Sequence, residues 1–252
     1  MRKSSILLAA ALCLLVSCGG GKVKRLKAEV VAEYPHDSLS YTQGLFFNDG
    51  RLYESTGLNG SSTLREVNLQ SGEAIQRVDF DRRYFVEGCV PVGDEIYVMT
   101  WQNGVIFKYG LDSLNFISEG DYPREGWGIT TDGNHLYASD GSAHIYVMDK
   151  DLKLQRKLTV KNDGKLVRWL NELEWIDGKI WANVYCTNAI VVIDPKSGEV
   201  CQIIDCSGIY PQKNRRPEDD VLNGIAVNPQ DGRIYVTGKN WPKLYEIRLV
   251  KP

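Results

Sequence analysis

Histidine is scarce in this 252-residue chain: only His36, His135 and His144 occur, and no Cys-x-x-C pair or Cys/His cluster has metal-ligand spacing. Zinc sites built from such ligands are excluded. No Ser-His-Asp set is visible either, and all three histidines read as structural. The formal net charge is -2, with 30 Lys plus Arg dispersed among 32 Asp plus Glu, so no basic face offers itself to nucleic acid. Beyond the first residues no apolar run approaches the ~20 positions of a membrane-spanning helix. Low-complexity segments are absent. What remains is 24 Gly, 10% aromatic residues and short β-branched runs between turns, a composition that fits one all-β domain.

The N-terminus reads as a targeting segment. Arg2 and Lys3 precede the apolar run Ile6 to Val16, too short for a bilayer and long enough for a signal sequence. Leu15-Val16-Ser17-Cys18 resembles a bacterial lipobox, which predicts cleavage after residue 17 and a lipid on Cys18. Residues 18–26 then form a tether that begins with three glycines, and 27–252 form the folded domain. An ordinary cleaved signal is the alternative. Either way the mature protein is expected outside the cytoplasm; as a lipoprotein it is membrane-anchored, periplasmic or at the cell surface, and touches the membrane through the Cys18 lipid only. Of the remaining cysteines, Cys201 and Cys206 lie roughly 16 Å apart along a straight strand, beyond bridging distance. Cys89, Cys186, Cys201 and Cys206 all read as small buried thiols.

A pattern of polar residue, glycine and apolar residue recurs along the domain: Gln43-Gly44-Leu45, Glu87-Gly88-Cys89, Trp127-Gly128-Ile129 and Asn223-Gly224-Ile225, with Asn171-Glu172-Leu173 as a variant. In the first four repeats an apolar-aromatic pair follows the second residue of the opening at an offset of 8, as in Gly44 to Leu52-Tyr53; the fifth is two residues longer. The aromatics Tyr53, Tyr97, Tyr137, Trp181 and Tyr235 are spaced by 44, 40, 44 and 54 residues. Such periods, with four short strands in each, predict a five-bladed β-propeller. The fifth repeat ends without an outer strand, and Ala28 to Tyr34 can supply it by pairing beside Tyr245, which closes the ring and protects its edges. Gln212 to Asp220 is a polar insertion expected to be a solvated surface loop.

In a propeller the first strand of each blade lines the axis, so Gln43, Glu87, Trp127, Asn171 and Asn223 should ring one mouth of the channel. Residues four past each aromatic return to the same end: Gly57, Trp101, Gly141, Tyr185 and Lys239. One carboxylate, one ammonium, side-chain amides and aromatic walls thus converge where all-β folds place binding sites.

Six segments extend this pattern into a family resemblance. Tyr41-Thr42-Gln43-Gly44-Leu45, Glu125-Gly126-Trp127-Gly128, Leu170 to Glu174, Trp181 to Val184, Leu222 to Ala226 and Thr237 to Leu244 resemble the plant-type glutaminyl-peptide cyclotransferases over nearly the whole mature chain. The resemblance implies a propeller that converts N-terminal glutamine of peptides or proteins to pyroglutamate and releases ammonia, without the zinc of the unrelated animal enzymes. It makes Glu87 the acid/base catalyst, places Gln43, Asn171 and Lys239 around the substrate, and makes Phe85, Trp101 and Trp127 walls. Tyr185 stands where the family commonly has tryptophan.

The chemistry fits these residues directly. A neutral α-amine must attack its own side-chain amide, and the departing nitrogen must be protonated; one carboxyl, Glu87, can do both. Lys239 or an amide such as Asn171 can stabilise the oxyanion. No cofactor is required, and a monomer is expected. The alternative is a non-catalytic extracytoplasmic binding module in which Glu87 and Lys239 merely form an ion pair that plugs the channel. A calcium-dependent lactonase-like propeller would need several acidic ligands, for which only Glu87, Glu172 and Glu174 are near.

Overall fold

The structure, a computed structural model, describes residues 22–252. The expected signal sequence and Cys18 lie outside the described residues. Alternating apolar and polar positions between Gly- and Asp-rich turns favour strands over helices. Strands are what forms, apart from a 3-10 turn at Gln212–Asn214.

Strand β1 (Lys24–Pro35) comes first. A meander follows of β2 (Thr42–Asn48), β3 (Arg51–Thr56), β4 (Thr63–Val67) and β5 (Ala74–Asp79). The next comprises β6 (Val86–Val92), β7 (Glu95–Thr100), β8 (Val105–Gly110) and β9 (Phe116–Asp121). The third comprises β10 (Ile129–Thr131), β11 (Leu136–Ser139), β12 (His144–Met148) and β13 (Leu154–Thr159). A small hairpin of β14 (Lys161–Asn162) and β15 (Lys165–Leu166) leads to β16 (Leu170–Ile176), β17 (Lys179–Val184), β18 (Ala189–Ile193) and β19 (Val200–Asp205). The chain ends with β20 (Leu222–Val227), β21 (Ile234–Gly238) and β22 (Lys243–Val250). The first three meanders are separate four-stranded sheets, β14 and β15 pair only with each other, and the remaining strands form one sheet in the order β16-β17-β18-β19-β1-β22-β21-β20.

The expected closing strand is present. Glu33 pairs with Tyr245 and Val30 with Ile247 in antiparallel register, with a bulge at Val31. β1 also does something the repeat pattern does not announce: its start, Lys24 to Lys27, runs parallel to β19 and welds two meanders into one sheet. It therefore begins inside the stretch read as tether.

The first strand of each meander faces inward, and β2, β6, β10, β16 and β20 touch in cyclic order. This is an all-β, propeller-like arrangement around a central axis. The glycines of the first three openings allow that contact, whereas Gly224 has a φ of +115°. A Cβ on Gly44 would strike the Cys89 amide nitrogen, one on Gly88 would lie 2.8 Å from that of Ile129, and one on Gly128 would strike the Asn171 carbonyl oxygen. Inner strands can approach this closely only without side chains. Glu172 stands where the fourth glycine would be, and it uses its side chain to accept from the amides of Ile225 at 2.9 Å and Leu45. It thereby staples two neighbouring inner strands.

The five repeat aromatics are all buried. The Tyr53 and Tyr97 hydroxyls donate to the carbonyls of Leu111 and Lys150 in the following meander, both at 3.1 Å. Each ring thus fills the space between sheets while its polar tip ties the pair together.

Two expectations fail in detail. The insertion is not merely solvated: the Asp219 side chain is fully buried beneath Arg216 and accepts from Tyr210 at 2.6 Å, and the Arg215 guanidinium lies 4.8 Å over the Trp241 ring. A charge run rich in Arg reads as surface, yet planar guanidinium groups pack on aromatic faces. Cys89 and Cys206 are buried free thiols, but Cys186 is exposed in a turn and Cys201 is disulfide-bonded, so the buried-thiol reading fails for those two.

Candidate active site

The openings project toward the axis because the ladder breaks there. Register shifts interrupt β2-β3 between Thr42 and Gly44, β6-β7 between Val86 and Cys89, β16-β17 between Leu170 and Leu173, and β20-β21 between Leu222 and Ile225. Gln43, Glu87, Asn171 and Asn223 occupy these bulges, which free them from cross-strand pairing and re-aim their side chains. A second recurring bond fixes the rim. The amides of Gly57, Trp101, Tyr185 and Lys239 donate to the carbonyls of Tyr41, Phe85, Trp169 and Val221, each at 2.8 or 2.9 Å. Residues two before an opening are thus held beside residues four past an aromatic.

Together they enclose a cavity of about 350 Å³ lined by Tyr41, Gln43, Phe85, Glu87, Trp101, Trp127, Trp169, Asn171, Tyr185 and Lys239. Every expected site residue except Asn223 is on this surface. Asn223 is fully buried behind it, donating to the Thr42 carbonyl at 2.9 Å and 3.5 Å from Gln43 Oε1. It supports the floor rather than forming it. Gly57 and Gly141 of the same rim leave room for walls: a Cβ at Gly141 would sit 2.6 Å from the Trp127 ring, and one at Gly57 would strike Phe85.

The floor is polar and buried. Gln43, Glu87, Asn171 and Lys239 are all at most 5% exposed. Lys239 donates to Gln43 Oε1 and to the Thr42 carbonyl at 3.1 Å, and its Nζ lies 4.4 Å over the Tyr41 ring. Burial lowers its pKa to about 8, although Glu87, Asp220 and Glu172 oppose the shift. Glu87 is the opposite case. Its carboxyl has no hydrogen bond and no ion pair among the described residues, Lys239 included. Desolvation raises its pKa well above the usual carboxylate range, with the Lys239 charge opposing and Glu125 adding to the effect. Asn171 Oδ1 is likewise buried without a partner.

Aromatic walls rise from this floor. Phe85 meets Trp101 edge-on at 5.6 Å, and Trp127 meets Tyr185 edge-on at 5.6 Å. Both indole N–H groups, of Trp101 and of Trp127 at 2.9 Å, donate to Glu125 Oε1. The sequence alone assigns no site role to Glu125, Tyr41 or Trp169, although the first two stand inside the family-like segments. The register could have found them: Tyr41, Phe85, Glu125, Trp169 and Val221 each precede an opening by two residues, and Phe85 was already recognised.

Other candidate groups fall elsewhere. Glu172 and Glu174 line no part of the cavity; Glu174 accepts from the Val227 amide at 3.1 Å, and burial raises its pKa to about 8. Among the described residues no group of three or more His, Cys, Asp or Glu is arranged to hold a metal ion. His36 bonds Glu54 and the Trp241 carbonyl, His135 sits at a turn with Asp132, and His144 lies 3.3 Å from Thr159 Oγ1.

The chain resembles known proteins in both sequence and fold. A glutaminyl-peptide cyclotransferase of Arabidopsis thaliana is 40% identical over 226 residues, covering 88% of this chain and 71% of the plant protein. The crystal structure of Myxococcus xanthus glutaminyl cyclase superposes with a TM-score of 0.84 at 35% identity, over 90% of this chain and 98% of that one. The sequence profile described as Glutamine cyclotransferase matches residues 5–249, and the chain belongs to that family.

Proposed function

We propose that this protein cyclises N-terminal glutamine of peptides or proteins to pyroglutamate with release of ammonia, and that Glu87 is its general acid/base. The observation that carries the assignment is the unpaired Glu87 carboxyl, desolvated on the floor of an aromatic pocket. A structural ion pair would have its partner in contact; Glu87 has none among the described residues, which weighs against the plugged-channel alternative.

The glutamine side chain enters between the walls, and its reacting groups reach the floor. The free α-amine, with a pKa of about 7.7–8.0, is neutral in an appreciable fraction near pH 8. Its nitrogen attacks the side-chain amide carbon. Glu87 takes a proton from that nitrogen as the N–C bond forms, then delivers it to the leaving NH₂ as the C–N bond breaks, so ammonia departs and Glu87 returns to its starting state. A carboxyl with a raised pKa suits both halves of this transfer. Lys239, already holding Gln43 and the Thr42 carbonyl, carries a third N–H for the oxyanion. Asn171 Oδ1, buried and unpartnered, accepts from a substrate N–H. Because nucleophile and electrophile belong to one residue, the walls contribute by holding the ring-closing conformer.

The same reading takes the fold as a five-bladed propeller closed by β1, the reaction as metal-independent, and the mature chain as a monomer. It also keeps the lipid on Cys18 and the extracytoplasmic location as proposals. A coupled ammonia assay on a glutamine-initiated dipeptide, with and without chelator, tests the core of it. Ammonia release that chelator leaves unchanged is expected; loss of all turnover on metal removal would overturn the metal-free mechanism.

A further inference from the structure

Trp169 is out of place for a structural tryptophan. It lines the cavity yet is 56% exposed, the most open of the walls. Its φ is +65°, a left-handed conformation that bulky side chains rarely adopt. Two backbone bonds hold it there: its amide donates to the Gly141 carbonyl and its carbonyl accepts from the Tyr185 amide, both at 2.8 Å. Its ring touches one other aromatic, Trp127, at 6.3 Å and 39°, and its indole N–H has no partner among the described residues. Trp101, the other exposed wall, is by contrast pinned by Phe85 and Glu125.

Residues held in such a conformation cluster at ligand sites, and this one lines the cavity. The vertical order of the site says what it does there. Glu87 and Asn171 lie at the buried floor, Trp127 is half-buried above them, and Trp169 stands at the open rim. A glutamine whose reacting atoms reach the floor directs the rest of the peptide outward, so the next residue passes the rim. We propose that Trp169 forms a subsite for the side chain of the second residue of the substrate, and that it selects aromatic or large aliphatic side chains there. The inference rests on the cyclisation reading and adds a substrate class to it.

The test compares glutaminyl-phenylalanine amide with glutaminyl-glycine amide by ammonia release. The parent protein is expected to favour the phenylalanine substrate by about 3- to 10-fold in kcat/KM, the usual size of one aromatic contact, mainly through KM. Trp169→Gly tolerates the positive φ and removes the ring, so the ratio should fall to about one; Trp169→Tyr should keep most of the preference. A parent ratio of one, or a ratio unchanged in Trp169→Gly, would overturn the subsite. No ammonia from either dipeptide would overturn the cyclisation reading itself, and this inference with it.

Discussion

Replacing Glu87 by glutamine separates a catalytic carboxyl from a structural one, because the two roles predict opposite changes in stability. The substitution keeps size and shape, and Glu87 has no hydrogen-bond or ion-pair partner to lose among the described residues. An amide cannot shuttle the proton, so turnover of a glutamine-initiated dipeptide should fall by ~10²- to 10⁴-fold, about 2.7–5.4 kcal/mol of barrier. Stability should move the other way. Glu87 has a folded pKa raised above its unfolded value of about 4.5, so above that pH the unfolded chain releases a proton that the fold retains, and stability falls as pH rises toward the folded pKa. Glutamine removes that cost. The Tm of Glu87→Gln should therefore match the parent near pH 4 and exceed it at pH 7, while activity at pH 7 collapses. Loss of the carboxylate also removes a charge that holds up the Lys239 pKa, so that ammonium should titrate below about 8. Scanning calorimetry at the two pH values, beside the ammonia assay, reads both effects. Parent-like turnover would refute the acid/base role, and a lower Tm at pH 7 would refute the claim that the carboxyl is unpaired.

Two further outcomes follow from the closure seam. A chain beginning at Ser38 lacks β1, which exposes the edges of both β22 and β19, and it should be insoluble or lose its cooperative thermal transition; a soluble, cooperative truncation would overturn the role of β1. At the same seam the buried His36 has both ring nitrogens on acceptors, Glu54 Oε1 at 3.0 Å and the Trp241 carbonyl at 2.6 Å. These partners raise its pKa despite burial and the nearby Arg65 charge. Its stabilisation is full below the unfolded value of about 6.5 and lost as pH rises through the folded one. His36→Gln should thus lower Tm most at pH 6 and least at alkaline pH, and a loss independent of pH would refute the charged pair.

Much of the fold and site was legible because a repeat reports on itself. The polar-glycine-apolar openings, the offset of 8 and the buried aromatics are each set by local geometry: where neighbouring inner strands touch, how long a two-strand return is, and what fills the gap between sheets. One alignment therefore placed Gln43, Glu87, Trp127 and Asn171 at a common mouth, and Tyr185 and Lys239 with them. Asn223 shared the register but not the exposure, because Gln43 and Thr42 cover it.

The sequence by itself determined the all-β class, the strand order within each meander and the convergence of one carboxyl with amides and aromatics, since these depend on periodicity. Tertiary structure alone decided the parts that depend on which distant groups meet. The parallel pairing of Lys24 to Lys27 with β19 joins segments nearly 180 residues apart. The Glu125 carboxylate reaches both indoles only because two meanders abut. Glu87 has no partner among the described residues because the Lys239 ammonium, close in register, turns to Gln43 and the Thr42 carbonyl instead, and a carboxyl left alone in a desolvated pocket is a property of packing that no residue pattern encodes.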